Sequence, residues 1–505
     1  MIKKDKLYFG WSEVDLTPDR RVMLEGQFYD RISQYVETRI YITALAIEAC
    51  GDQAIICSCD MTHVVKSLTE KVREILAPRI PDFDTSKLII NATHTHTSIM
   101  YSDGSSKDLK ALSKYLGVEE APCFGNGNIE TDNLMPPLEA FGYIAGKIAD
   151  AAEEAWKNRA PGGYIPAFGR AAVGMNRRVV YKDGTAKMWG NSDTERFFSL
   201  EGGNDNGIEM LFIYGENEKA PSARPSGVIL NIACPSQILE QRYFISSDYW
   251  GKVKALLRRS FGDDFKLLPL CSPAGDLCPR DLIRWVEPET PIEDPNVIRK
   301  NPLFRRADPS MYDVKGSWRT GRRIAREVED VYGEDVAGRP PVTEAEFAHV
   351  PRIMKLPLRR VTEEENAAAR KALADFAEKH GKAELDFNDS AAMHVHAGIA
   401  DRYELQKKVT DVDTEVHVMR LGDIAFATDP FELFLDFANI IRARSVAAQT
   451  FLVQLACDAI GYLPTEKAER GGHYSAYVSS GTVGHEGGYQ LVENTLEEIG
   501  RLFAE

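Results

Sequence analysis

Six short runs rich in Ile, Val, Leu and Ala punctuate the chain: Ala54 to Cys59, Leu88 to Ala92, Val228 to Ala233, Phe265 to Cys271, Ile424 to Thr428 and Phe451 to Cys457. Their length and continuous apolarity predict buried strands. Each stops at polar residues. The first ends at Asp60, the second at Thr93-His94-Thr95-His96 and the third at Cys234-Pro235-Ser236-Gln237. The fourth leads to Gly275-Asp276-Leu277-Cys278-Pro279-Arg280, the fifth to Asp429-Pro430, and the sixth to Asp458 and then Gly461-Tyr462. Helical spacing fills the intervals, at Leu68 to Leu76, Phe141 to Trp156, Trp250 to Phe261, Trp318 to Val331, Thr362 to His380 and Phe431 to Arg444. Thr362 and Glu365 form a capping box, and Pro430 predicts a helix start directly after Asp429. Phe347 to Leu358 reads as a further strand and Val492 to Phe503 as a last helix. Strands alternating with helices predict an α/β fold. In such sheets the ligand sits outside the carboxyl ends of the strands, where these polar residues lie.

Pro and charge gather from 287 to 309, too irregular for an element and too long for a simple connection, which predicts a lid-like excursion. Gly338 to Val342 (GRPPV) is a second break, marking a sub-domain boundary within one region spanning 1–505. Of the 505 residues, 44% are hydrophobic, enough for a large core. The 61 Lys and Arg against 76 Asp and Glu leave a net charge of −15, which argues against nucleic acid and against an anionic membrane surface. No stretch approaches the ~18 apolar residues of a membrane helix. Lys3, Lys4 and Lys6 are followed by an apolar stretch broken at Ser12 and Glu13, so no signal peptide is expected. Most of the eight cysteines lie in apolar runs, which suits reduced thiols in a cytoplasm.

Two of ten histidines, His94 and His96, stand two apart at a strand end, where alternate side chains point the same way. Both imidazoles can then face one site, one binding a metal and the other moving protons; a pair of hydrogen-bonded turn histidines is the competing account. His485-Glu486 does not continue as HExxH, because Tyr489 takes the last slot. The 124–129 stretch (FGNGNI) lacks the third glycine of a dinucleotide fingerprint, and no Walker motif occurs. These absences narrow the field toward hydrolytic or lyase chemistry on a metal. Asp60, His63 and Asp248 are placed to hold hydroxyls or orient ligands, with N-caps as the alternative. His473 and Tyr474 in Gly471-Gly472-His473-Tyr474 either line the pocket or belong to a glycine-rich turn.

Taken together, Gly10 to Pro18 (GWSEVDLTP), Thr38 to Glu48 (TRIYITALAIE), Ala92 to Ser98 (ATHTHTS), Ser246 to Trp250 (SSDYW), Ala274 to Arg280 (AGDLCPR) and Gly461 to Thr465 (GYLPT) resemble blocks of the neutral/alkaline non-lysosomal ceramidases, in their N-terminal catalytic region. The resemblance spans most of the chain. It implies a large mixed-sheet α/β catalytic domain and one divalent metal, most simply Zn2+. Carried over, His94 is a zinc ligand and His96 the acid/base. The family's Glu slot falls on Asp429 and its Tyr slot on Tyr462. Where the family has a mid-chain histidine, this chain reads Asn231 to Gln237 without one, so Cys234 would have to serve. Where the family uses a serine, this chain has Cys278, a candidate nucleophile or a packed thiol. Asp276 and Arg280 of the same block are assigned to substrate binding.

The expectation is therefore a cytoplasmic metal-dependent hydrolase acting on an N-acyl, amide or related bond of a small soluble polar substrate. It would have no immunoglobulin-like C-terminal domain and no nucleic-acid or membrane partner; homo-oligomerisation stays open. A metal-dependent carbohydrate-active enzyme (glycosidase, lyase or isomerase) on the same scaffold is the first alternative, and a non-catalytic degenerate binder the second.

Overall fold

A computed structural model of the chain describes residues 3–27, 29–104, 114–116, 133–215, 224–286, 306–307, 313–380 and 387–504. The excursion expected at 287–309 lies outside the described residues except for Arg306 and Ala307, and the 124–129 segment lies outside them entirely.

Eight strands build the larger sheet: β1 (Tyr8–Asp15), β2 (Tyr41–Ala49), β3 (Asp52–Cys59), β4 (Leu88–Ala92), β5 (Ala160–Arg170), β6 (Gly207–Gly215), β7 (Gly227–Ile232) and β8 (Lys266–Cys271). Their spatial order is β8-β7-β6-β5-β1-β2-β3-β4. The inner pairs are antiparallel and the two outermost pairs, β7 with β8 and β3 with β4, are parallel. A second sheet runs β9 (Phe347–Pro357), β10 (Asp411–Leu421), β11 (Ile424–Thr428) and, after a short β12 (Glu432–Leu433), β13 (Gln449–Val453) in the order β9-β10-β11-β13. β12 pairs in parallel with β14 (Tyr462–Leu463).

The sheets lie face to face. Leu45, Ile47, Ile56, Ile89, Leu211 and Leu268 of the first pack with Phe347, Met419, Ile424, Phe426 and Phe451 of the second in one core. Helices cover both outer faces: α1 (Lys66–Leu76) and α2 (Pro137–Lys157) over β1 to β4, α3 (Asp248–Phe261) and α4 (Asp313–Val331) over β6 to β8. On the second sheet, α7 (Leu435–Arg444) and α8 (His485–Ala504) do the same. Strands covered on both faces need apolar residues at successive positions, and hence read as continuous runs in the sequence. α5 (Glu363–His380) and α6 (Phe387–Leu405) form a helical pair.

The capping box at the start of α5 is made: Glu365 N–H donates to Thr362 Oγ1 (3.1 Å) and Thr362 N–H to Glu365 Oε2 (2.8 Å). The helix expected from Phe431 starts instead at Leu435, because Glu432 and Leu433 are taken into the parallel pair with Tyr462 and Leu463. At 338–342 the chain returns to the larger sheet, where Val342 and Tyr164 exchange backbone hydrogen bonds of 2.9 and 3.0 Å.

Candidate active site

The carboxyl ends of β3, β4, β7, β8 and β11 open on one region. Behind it, Asp60 at the end of β3 shapes the histidine segment. Its Oδ2 accepts from Tyr41 N–H (2.9 Å), its Oδ1 from the Thr93 hydroxyl (3.3 Å), and its backbone carbonyl from the Ser98 hydroxyl (2.7 Å). Thr95 and Thr97 both donate to Ser246 O at 2.9 Å. Thus every second residue of the segment is tied inward. His94 adopts φ +63°, a left-handed conformation costly for a residue with a Cβ, and its ring meets that of His96 edge-on at 4.7 Å between centroids. Gly26 (φ +102°) lies against His96 so closely that a Cβ there would come within 2.5 Å of the ring.

Hydrogen-bond partners orient both rings. His94 Nδ1 is 2.6 Å from Thr62 O; a carbonyl only accepts, so Nδ1 carries a hydrogen and Nε2 is the ring nitrogen turned to the site. Arg177 Nη1 donates to Gln237 Oε1 (3.0 Å), which turns the Gln237 amide Nε2 toward His96 Nε2 at 2.9 Å. His96 Nε2 is therefore an acceptor and its Nδ1 bears the hydrogen, with Glu240 Oε2 at 3.9 Å. The two Nε2 atoms stand 3.2 Å apart, and Glu432 Oε2 lies 3.5 Å from His94 Nε2. Two imidazole nitrogens and a carboxylate thus converge on one point.

Glu432 arrives on β12 directly beside Tyr462 on β14. Tyr462 Oη accepts from Arg177 Nη2 (3.4 Å) and is 3.1 Å from Tyr474 Oη. Burial alone would raise the Glu432 pKa, but the His94 ring, Arg177 and the Tyr462 hydroxyl together hold it below the usual carboxylate range. Burial, then His94, Arg31 and Arg177, push the His96 pKa well down, so its ring stays neutral. Arg31, fully buried, clamps the backbone by donating to His96 O and Glu25 O (2.6 Å each).

The neutral ceramidase from Pseudomonas aeruginosa has a similar structure, with TM-score 0.64 and 15% sequence identity over 98% of this chain and 74% of that one. A structure described as ceramidase complexed with C2 gives TM-score 0.64 and 14% identity over 99% and 75%. The chain has the neutral ceramidase fold. No protein-family model and no curated protein matches it. Among the described residues, no helix is long and apolar enough to cross a membrane.

Within this neutral ceramidase fold, His94, His96, Tyr462 and Tyr474 come together, and three residues the sequence reading did not single out join them: Glu432, Gln237 and Arg177. Asp429 is corrected. Its Oδ1 accepts from Phe431 N–H (3.0 Å) in a buried turn beside Thr428, Leu433 and Leu491, and it makes no hydrogen bond or ion pair with His94. The carboxylate beside His94 stands three residues later, on a strand pair that only the fold creates. Cys234 is corrected likewise. Its thiol points to Pro235 O (3.5 Å), with Cys271, Cys278 and Tyr249 as neighbours, and Gln237 is the residue of that turn that reaches the histidines. Cys278 pairs with Met175 in a short ladder, and its sulfur accepts from Arg280 N–H (3.4 Å). Burial pushes this thiol up to about 12 despite Arg177, the reverse of the lowering that activates a cysteine nucleophile.

The remaining candidates hold the frame. Asp248 Oδ2 accepts from Leu239 N–H (2.8 Å) at the head of α3, and Asp276 accepts from Leu435 N–H (2.9 Å) at the head of α7 and from Asn176 Nδ2 (2.8 Å). His473 Nδ1 accepts from the distant Met188 N–H (3.3 Å), tying its turn to another segment. His63 packs its ring on Tyr101 at 5.6 Å, and the Arg280 guanidinium lies over Trp189 at 4.8 Å, with Glu240 at 3.9 Å.

Proposed function

We propose that this chain is a metal-dependent hydrolase that cleaves an N-acyl bond of a small polar substrate. The observation that carries the reading is the convergence of His94 Nε2, the Glu432 carboxylate and the Tyr462 phenol, three donor atoms that a cation could take in place of the hydrogens they now share. The donors fit a borderline divalent ion such as Zn2+: imidazole, carboxylate and phenolic oxygen would hold it. Gln237, in the turn where the ceramidase resemblance leads one to look for a further histidine, has its carboxamide oxygen engaged by Arg177. Three protein donors and open positions are what a catalytic rather than a structural zinc site has.

When bound, the ion would supply Lewis-acid polarisation and a more acidic water. The protein's own groups do the rest. His96 is neutral, and by exchanging the Gln237 amide at Nε2 for an attacking water it can take that water's proton and return it to the departing amine. Arg177, fully buried and charged, is a fixed donor facing Glu432 and Tyr462, placed to oppose negative charge developing on a tetrahedral oxyanion. Gln237, Glu240, Arg177 and Tyr474 give the site polar walls, which favours a polar substrate.

Elemental analysis of the purified protein is expected to find an ion that His94→Ala and Glu432→Gln release. His96→Ala should retain it while losing turnover of N-acyl substrates by ~100-fold or more. An ion-free wild-type protein overturns the reading, as does turnover of glycosides with none of N-acyl compounds.

A further inference from the structure

A second group of metal-binding side chains lies at the other end of β4. Glu415 and His417, two apart on β10, share one face of the strand. Cys457 follows β13 in a left-handed conformation (φ +63°), its N–H donating to Ile90 O (2.8 Å) and its sulfur lying 3.7 Å from both Leu88 O and His417 Nε2. Glu415 Oε1 is 2.9 Å from His417 Nε2. Donors bound to one zinc-like ion at about 2.0–2.3 Å sit roughly 3–4 Å from one another, and these distances have that spacing.

Hydrogen counting shows what the group has to share. His349 Nδ1 is 2.9 Å from Gln53 O and must donate to it, so His349 Nε2 accepts from His417 Nδ1 at 2.9 Å. Two neutral imidazoles have then used both their hydrogens, and the His417 Nε2 lone pair faces Glu415 Oε1, with the Cys457 thiol hydrogen the one left to the group. A cation that displaces that hydrogen would meet all three donors at once. The thiol on the same point favours a metal ion over a proton, since an imidazolium bonded to Glu415 would need no third donor. His349 is the outer partner that metal-binding histidines carry on their other nitrogen. Arg73 donates to both Glu415 oxygens and to Leu88 O, which orients the carboxylate and offsets the second negative charge that a thiolate would bring.

We propose that Glu415, His417 and Cys457 bind a divalent zinc-type ion separate from the His94 site. Binding releases the Cys457 thiol proton to solvent as the sulfur–metal bond forms. The ion joins β10 of the second sheet to the segment after β13, which bonds to β4 of the larger sheet through Leu455 and Cys457. His94 lies past the far end of β4, about 15–20 Å away at strand rise, and the proposal does not rest on the function assigned there.

The test strips the full-length protein with chelator and reloads it with Co2+, whose near-ultraviolet charge-transfer absorption requires a thiolate ligand. The band is expected in wild type and in His94→Ala, and also in Cys234→Ala. It is expected to vanish in Cys457→Ser, which should hold one ion fewer per chain. Wild-type protein that binds Co2+ without the band overturns the proposal whether or not the Cys457 variant folds, and a band that survives Cys457→Ser does so too. Loss of function in His94→Ala with the band intact separates failure at the first site from failure at this one.

Discussion

Asp429 and Glu432 are three residues apart and chemically alike, yet their surroundings give them opposite roles. Glu432 faces His94 and Arg177 and is held ionised. Among the described residues no cation stands beside Asp429, and burial drives its pKa well above the ordinary 3.8. A folded-state pKa above the unfolded one gives a contribution present in full below about pH 4 and lost as pH rises toward the folded value. Asp429→Asn is therefore expected to match wild type in urea midpoint near pH 4, to exceed it at pH 8, and to keep its metal. Glu432→Gln should lose the His94-site ion at every pH. Cys278→Ala should retain turnover of N-acyl substrates within a few-fold, because a neutral buried thiol contributes packing only; abolished turnover in a folded variant would restore it as a nucleophile. At this scale the histidine pair was legible, because its spacing at a strand end is local. Glu432 was not, since no local pattern distinguishes it from its neighbours.

Elements were legible where their reasons are local or general. β4 and β11 match the apolar runs residue for residue, because strands buried on both faces must be apolar throughout. The capping box of α5 stands for the same reason: both partners lie within one turn. Thr362→Ala is expected to cost ~1 kcal/mol, read as a lower urea midpoint with unchanged metal content. α6 escaped notice because its apolar residues do not gather on one face. The start of α7 was misplaced because a pairing partner thirty residues downstream outbids Pro430 as a helix start.

For the whole molecule, the interface between the two sheets is the main apolar core, and Phe426 and Phe451 stack across neighbouring strands within it at 4.5 Å between centroids. Phe451→Ala is expected to cost ~3–5 kcal/mol in denaturant unfolding, as large-to-small core changes do. The sequence by itself determined the alternation of strands and helices, the carboxyl-end location of the chemistry and the histidine segment. Periodicity, capping and turn residues act within a few positions along the chain, and those signals survive without coordinates. Only the tertiary structure decided which carboxylate meets His94, that Gln237 rather than Cys234 reaches the histidines, that Arg177 stands among them, and that Glu415, His417 and Cys457 share a point. Those meetings depend on parallel pairings and sheet stacking between segments tens to hundreds of residues apart, and such contacts leave no periodic mark in the sequence.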